Sequence, residues 1–380
     1  MPSPDSERST TETSAEERHL GDSARLESLD ALRGFDMFWI VGGSAVFVAM
    51  AKAIGPGFHE WAVANTEHPA WNGYTPWDQI FPLFMFVAGV AMPFSLTKRV
   101  ERNESRAALH WHVIQRGLIL VLLGMIYNGL LLFDFEQLRY PSVLGRIGLG
   151  YLFAGLIVLN TRVRGQILCV IGLLVGYWAA MRFIPVPEYG AGDWEPGHTL
   201  VGYVDRMVLP GTLYKTIRDP EGLLSTIPSI ATVLMGALAG HWLRLSKPSG
   251  HEKAALLVIS GIISLILASV WNIWFPINKN LWTSSFVLHT SGWSLLLLAV
   301  FYLIIDVWRF KRWAFFFTVI GMNAITVYLV RGFVDFKGIA EIVFARAAHG
   351  VHPALMSGGE LLLVWLMLYA MYRGKIFLRV

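Results

Sequence analysis

Apolar residues in this chain gather in blocks of about 20, the length a helix needs to cross a bilayer core. Polar and turn-forming residues separate the blocks. The pattern predicts about ten spans, at 34–53, 77–96, 113–133, 143–160, 166–184, 223–243, 254–275, 283–305, 314–333 and 359–373. The fourth is rich in glycine and the last is short. The expected fold class is therefore all-α: a polytopic membrane bundle of about ten transmembrane helices. Residues 1–24 are rich in Ser, Thr, Glu and Asp and contain no apolar run, so they read as a disordered tail and not as a cleaved leader. Residues 25–380 then form one transmembrane domain.

Composition agrees with the pattern. Residues are 54% apolar and only 15% charged, too few charges to cover a soluble domain of this size. A net charge of +4 could suggest a nucleic-acid partner. The basic residues instead cluster in short loops between apolar blocks, so no nucleic acid is expected. Most of the 31 lysines and arginines fall in the two ends of the chain and in loops 97–116, 161–165, 244–253 and 306–313. Those segments share one side of a ten-span bundle, which places both termini in the cytoplasm. The single cysteine, Cys169, lies inside an apolar block, so neither a disulfide framework nor a cysteine metal site is expected.

Candidate chemistry sits at both ends of the spans. On the cytoplasmic side, Asp30, Arg33 and Asp36 are spaced three apart and share one helical face. Arg33 could pair with Asp36 or meet the phosphates of an anionic cosubstrate. On the opposite side, Thr75-Pro76-Trp77-Asp78 reads as a helix start with Asp78 at the third position. His68 precedes a proline just outside that helix, where a histidine can serve as base or nucleophile. Arg116, Arg146, His289 and Asn323 are polar groups in or beside spans, and together they imply a polar cavity. Most of the tryptophans fall near span ends as an interfacial belt. Trp71, Trp77 and Trp282 instead flank polar outer loops. No phosphate-binding loop, dinucleotide fingerprint or zinc-protease motif is present.

Five ordered motifs resemble the heparan-alpha-glucosaminide N-acetyltransferase family. They are R-L-x-S-L-D-A-L-R-G (Arg25 to Gly34), H-P-A-W-N-G-Y-T-P-W-D-Q-I-F-P-L-F-M-F-V-A-G (His68 to Gly89), D-P-E-G-L-L-S-T-I-P-S-I (Asp219 to Ile230), P-I-N-K-N-L-W-T-S-S-F (Pro276 to Phe286) and G-M-N-A-I-T-V-Y (Gly321 to Tyr328). The resemblance implies a transmembrane acyltransferase that moves acetyl from cytoplasmic acetyl-CoA to an amine or hydroxyl of an extracytoplasmic amino sugar or glycan. The family's active-site histidine lies just before its A-x-W-N-G segment, where His68 stands here. The animal enzyme has an Asn-Tyr-Gly-Gly stretch late in its corresponding span. Here those positions read Val41-Gly42-Gly43-Ser44.

Motif and topology together give the expected site. His68 is the base or nucleophile, with Asp78 and Asn72 orienting it or the acceptor. Arg33, Arg146, Asp30 and Asn323 are assigned to acetyl-CoA. Trp71, Asn278, Lys279, Asn280, Trp282 and Glu221 are assigned to the acceptor. No metal is expected. The other partner is the lipid bilayer, with a homodimer as the candidate assembly and the bacterial cytoplasmic membrane as the location. The rival readings are a secondary transporter of a small polar or anionic solute and a scaffold without turnover.

Overall fold

The structure is a computed structural model describing residues 26–345 and 353–378, so the acidic tail expected over 1–24 lies outside the described residues. Among the described residues the chain is helical, with only isolated bridges such as Arg139 to Gly211 in the loops. Nine helices among the described residues are long and apolar enough to span a membrane, and one bent pair makes up to ten. The protein is a multi-pass integral membrane protein.

The first span is α1 (Glu27–Phe38), a π-turn at Trp39–Gly43, and α2 (Ser44–Ile54). Gly42 takes φ 136° inside the turn and lies against Leu361. A short helix, α3 (Pro56–Asn65), follows outside the span. The second span opens with a 3₁₀ turn, Pro76–Gln79, and runs on as α4 (Ile80–Glu101). Then come α5 (Arg106–Tyr127), α6 (Val143–Asn160) and α7 (Val163–Phe183). The long connection after α7 carries the amphipathic α8 (Leu200–Val208). The later spans are α9 (Thr226–Arg244), α10 (Gly250–Trp271) and α11 (Ser284–Phe301), the last extended by a π-helical segment to Val307. Next is the bent pair of α12 (Phe315–Gly321) and α13 (Ala324–Phe333). It is followed by the short α14 (Phe336–Ala345) and by α15 (Pro353–Arg373).

The span expected at 113–133 is shifted toward the N-terminus, because Ser105 caps α5 by accepting from the Ala108 amide and positive-φ Gly129 breaks the chain near its end. The span expected at 314–333 is broken at Met322–Asn323, where its halves meet at 57°.

Packing sorts the helices by burial. Among the spans, α4, α9 and α11 are the most enclosed. By contrast, α10 turns Ile259, Ile262, Ile263 and Ile266 outward, a face suited to lipid tails. Small residues set the closest crossings. A β-carbon on Gly34 of α1 would collide with the Phe317 carbonyl of α12, and one on Gly321 of α12 with the Asp30 carbonyl of α1. Two backbones in direct contact leave no room for any side chain larger than hydrogen. That crossing fixes where Asp30 and Arg33 project.

Candidate active site

The site at the far end of the first two spans is built on the start of the second. Thr75 and Asp78 form a reciprocal capping box around the 3₁₀ turn, with Asp78 Oδ2 accepting from the Thr75 amide at 3.1 Å. The other carboxyl oxygen, Oδ1, lies 2.6 Å from Nδ1 of His68. Asp78 is fully buried, whereas the His68 side chain is 48% exposed. A carboxylate can only accept, so this bond requires the proton on Nδ1 and leaves Nε2 as the acceptor nitrogen of a neutral ring. Asp78 therefore performs two functions at once, one with each oxygen.

Lys279, from the loop before α11, completes the cluster. Its ammonium is 3.6 Å from Asp78 Oδ1, 3.3 Å from His68 Nδ1 and 3.0 Å from His68 Nε2. An atom so close to both ring nitrogens cannot lie in the ring plane without striking the carbon between them, so the ammonium sits over the ring face. Burial pulls the Lys279 ammonium below its ordinary pKa, while the charges of Asp78 and Glu221 work in the opposite direction.

Three loops distant in sequence interlock around this cluster. The Gly73 amide donates to the Ile277 carbonyl at 2.8 Å, and Asn278 Nδ2 donates to Asn72 Oδ1 at 3.0 Å. The long loop after α7 adds Trp194, whose carbonyl accepts from the Trp71 indole at 2.7 Å. Arg218 lies over the Trp71 ring and donates to Asn280 Oδ1 at 2.8 Å. Beneath them, Arg139 bridges Asp219 and Glu221. Burial alone would lower the Arg139 pKa, but the two carboxylates raise it above its ordinary value.

At the opposite end of the bundle lies a cavity of about 490 Å³. Its polar lining includes Asp30 and Arg33 from α1, Lys98 from α4, Arg116 from α5 and Tyr151 from α6. Arg33 reaches Asp30 at 3.5 Å, and Arg116 packs over the Tyr151 ring at 4.6 Å. Three cations and one acid give the cavity a net positive lining, which suits the phosphates of a nucleotide-bearing cosubstrate. Among the described residues, no group of three or more His, Cys, Asp or Glu side chains is placed to hold a metal.

The structure thus brings together His68, Asp78 and Lys279, with Asn72, Asn278, Asn280, Trp71 and Glu221 around them. Asp30 and Arg33 meet at the other end. Three expected residues are placed differently. Arg146 is buried near the outer start of α6, packed over Trp282 and bonded to Ser225, apart from the cation-lined cavity. Trp282 is itself fully buried beneath the mouth, with φ 50° and its indole directed at Thr232. Asn323 sits at the break between α12 and α13, where its side chain binds the Ile376 carbonyl and the Leu378 amide. Phe377 and Leu378 then form part of the cavity wall. Lys98, Arg139 and Arg218 were not singled out from sequence. Each is one of many basic residues near a span end, and nothing local marks its partner.

Residues 25–129, which carry Asp30, Arg33, His68 and Asp78, match a family described as a domain of unknown function, DUF5009. Over 94% of its length the chain is 28% identical to heparan-alpha-glucosaminide N-acetyltransferase of Homo sapiens, covering 60% of that protein. It is 29% identical to the Mus musculus enzyme of the same name over 69% of this chain, covering 48% of the mouse protein. The chain thus spans between about half and three fifths of the length of the curated relatives it matches. The similarity runs through both ends of the bundle, and the curated relatives that the chain resembles are heparan-alpha-glucosaminide N-acetyltransferases.

Proposed function

We propose that the protein is a transmembrane acetyltransferase. It takes acetyl from acetyl-CoA bound in the cation-lined cavity on the cytoplasmic side. It delivers the group to an amine or hydroxyl of an amino sugar or glycan held at the His68 mouth on the other side of a bacterial cytoplasmic membrane. The observation that carries this reading is the His68–Asp78 pair, a half-exposed base with one ring nitrogen held by a buried carboxylate and the other beside the Lys279 ammonium. The named relatives support the type of reaction.

Arg33, Lys98 and Arg116 bind the phosphates of acetyl-CoA. The thioester end extends along the bundle axis toward His68. The acceptor lies against Trp71, Asn280 and Glu221. His68 Nε2 removes the proton from the acceptor nitrogen or oxygen as that atom attacks the thioester carbonyl. The new C–N or C–O bond forms and the C–S bond breaks. The thiolate leaves and takes up the proton that His68 had accepted. Lys279 faces the carbonyl oxygen as negative charge builds on it, the point at which a fixed cation lowers the barrier most.

The test uses the purified protein in nanodiscs, with CoA release measured from acetyl-CoA and glucosamine. His68→Ala is expected to lower turnover by roughly 10²- to 10⁴-fold. Full activity in that variant removes His68 from the mechanism. Solute uptake into proteoliposomes without CoA release replaces the enzyme reading with a transporter.

A further inference from the structure

A second, much smaller cavity of about 40 Å³ lies beside the cation-lined one. The two share Phe84, Ile147, Ala324 and Ile325, so they adjoin through a common wall. Phe81 and Tyr328 line only the small cavity. Phe81 and Phe84 stand one turn apart on α4 and therefore face the same way. The Phe81 ring packs edge-on against Trp282 with centroids 4.9 Å apart, and Trp282 in turn carries Arg146. The small cavity thus continues the cation-lined one toward Phe81 and Trp282, and its lining surface is apolar.

Its size is informative. A single water needs roughly 10–15 Å³ of such space. A cavity of about 40 Å³ therefore holds a group of only a few heavy atoms. An acetyl group of three heavy atoms fits that space, and a hexanoyl chain of more than twice that size overfills it. A longer chain would have to push Phe84 or Ile325 into a wall where α1, α4, α6 and α13 already pack. Forcing added methylenes into a packed wall carries a penalty equivalent to roughly 10- to 100-fold in binding.

We propose that this constriction is an acyl-length filter, in which Phe84 and Ile325 restrict the donor to acetyl-CoA. The inference rests on the proposed function and adds the residues that choose among thioesters. Phe84 and Ile325 are specificity residues. They hold no proton and carry no charge.

The experiment measures binding of acetyl-CoA, butyryl-CoA and hexanoyl-CoA by calorimetry in nanodiscs, which requires no acceptor, and then turnover with glucosamine. Wild-type protein is expected to bind acetyl-CoA at least about 10-fold more tightly than hexanoyl-CoA. Phe84→Ala opens one wall and Ile325→Ala the facing one, and each should bring that ratio within about threefold of unity. Because the two substitutions lie on different helices, one misfolded variant leaves the other to decide. Retained thermal stabilisation by acetyl-CoA identifies a folded variant. Equal binding of all three thioesters by wild type, or an unchanged ratio in the folded variants, overturns the filter alone. Failure of wild type to bind any CoA thioester overturns the proposed function and the filter with it.

Discussion

Asp78→Asn separates two functions carried by one side chain. Oδ2 caps the 3₁₀ turn through the Thr75 amide at 3.1 Å, and Oδ1 holds the His68 ring at 2.6 Å. An amide offers one oxygen and one NH₂ group. With the oxygen toward Thr75, the NH₂ faces His68 Nδ1, which must then give up its proton and accept. The proton moves to Nε2, and the acceptor lone pair is lost. With the amide reversed, the NH₂ meets the Thr75 N–H and the cap fails. Loss of one capping or neutral hydrogen bond costs about 1 kcal/mol of stability. Loss of the working tautomer costs far more in rate, roughly 10²- to 10⁴-fold. Thr75→Ala supplies the comparison, because it weakens the same capping box and leaves the His68–Asp78 bond in place. Thermal unfolding in nanodiscs should show similar small losses for the two variants. CoA release from acetyl-CoA with glucosamine should collapse only in Asp78→Asn. Asp78→Asn activity within about threefold of Thr75→Ala would refute the reasoning and leave Asp78 as a cap alone.

Two further predictions test the surroundings of the site. Burial holds Lys279 below its ordinary 10.5, so its charge, and activity that depends on it, should fade as pH rises through the lowered value. Over that window up to 10.5 the unfolded chain binds the extra proton, so folding stability should rise with pH while activity falls. Lys279→Gln should show neither trend, and an unaltered alkaline limb in that variant would assign it to another group. Gly34→Ala, at the crossing of α1 and α12, should destabilise the protein by about 1–3 kcal/mol, because the new methyl meets a backbone carbonyl that cannot rotate away. Raised thermal stability would mean that helix propensity outweighs the close approach.

The spans were legible because apolar run length is a direct demand of the bilayer. Their ends were less so. The start of α5 depends on a serine cap eight residues before the expected boundary. The break at Met322–Asn323 carries no proline and is filled by contacts with residues more than 50 positions away. His68 and Asp78 could be found from the chain because they sit ten residues apart in one segment. Lys279 was expected at the mouth, but its position over the His68 ring spans 211 positions and leaves no local trace. The Arg139–Asp219 pair, 80 positions apart, was invisible for the same reason. Arg146 illustrates the limit. Residue type suggested an anion site at the cation-lined end, while the side chain packs over Trp282 and bonds Ser225 at the His68 end of the bundle.

The interlocked outer loops bear on how acceptor choice could drift or be re-engineered. The histidine-bearing segment is tied to the loop before α11 through the Gly73 amide, at a residue whose φ of 117° favours glycine, and through Asn72 on Asn278. The long loop after α7 is attached differently, through the Trp71 indole on the Trp194 carbonyl and through Arg218 on Asn280. The first joint constrains positions 72, 73 and 278. The second requires partner positions to change together. A loop exchanged from a relative would therefore have to bring matching residues at 71 and 280, so the mouth of this scaffold is inherited as a co-adapted module spread over three separate stretches of the gene.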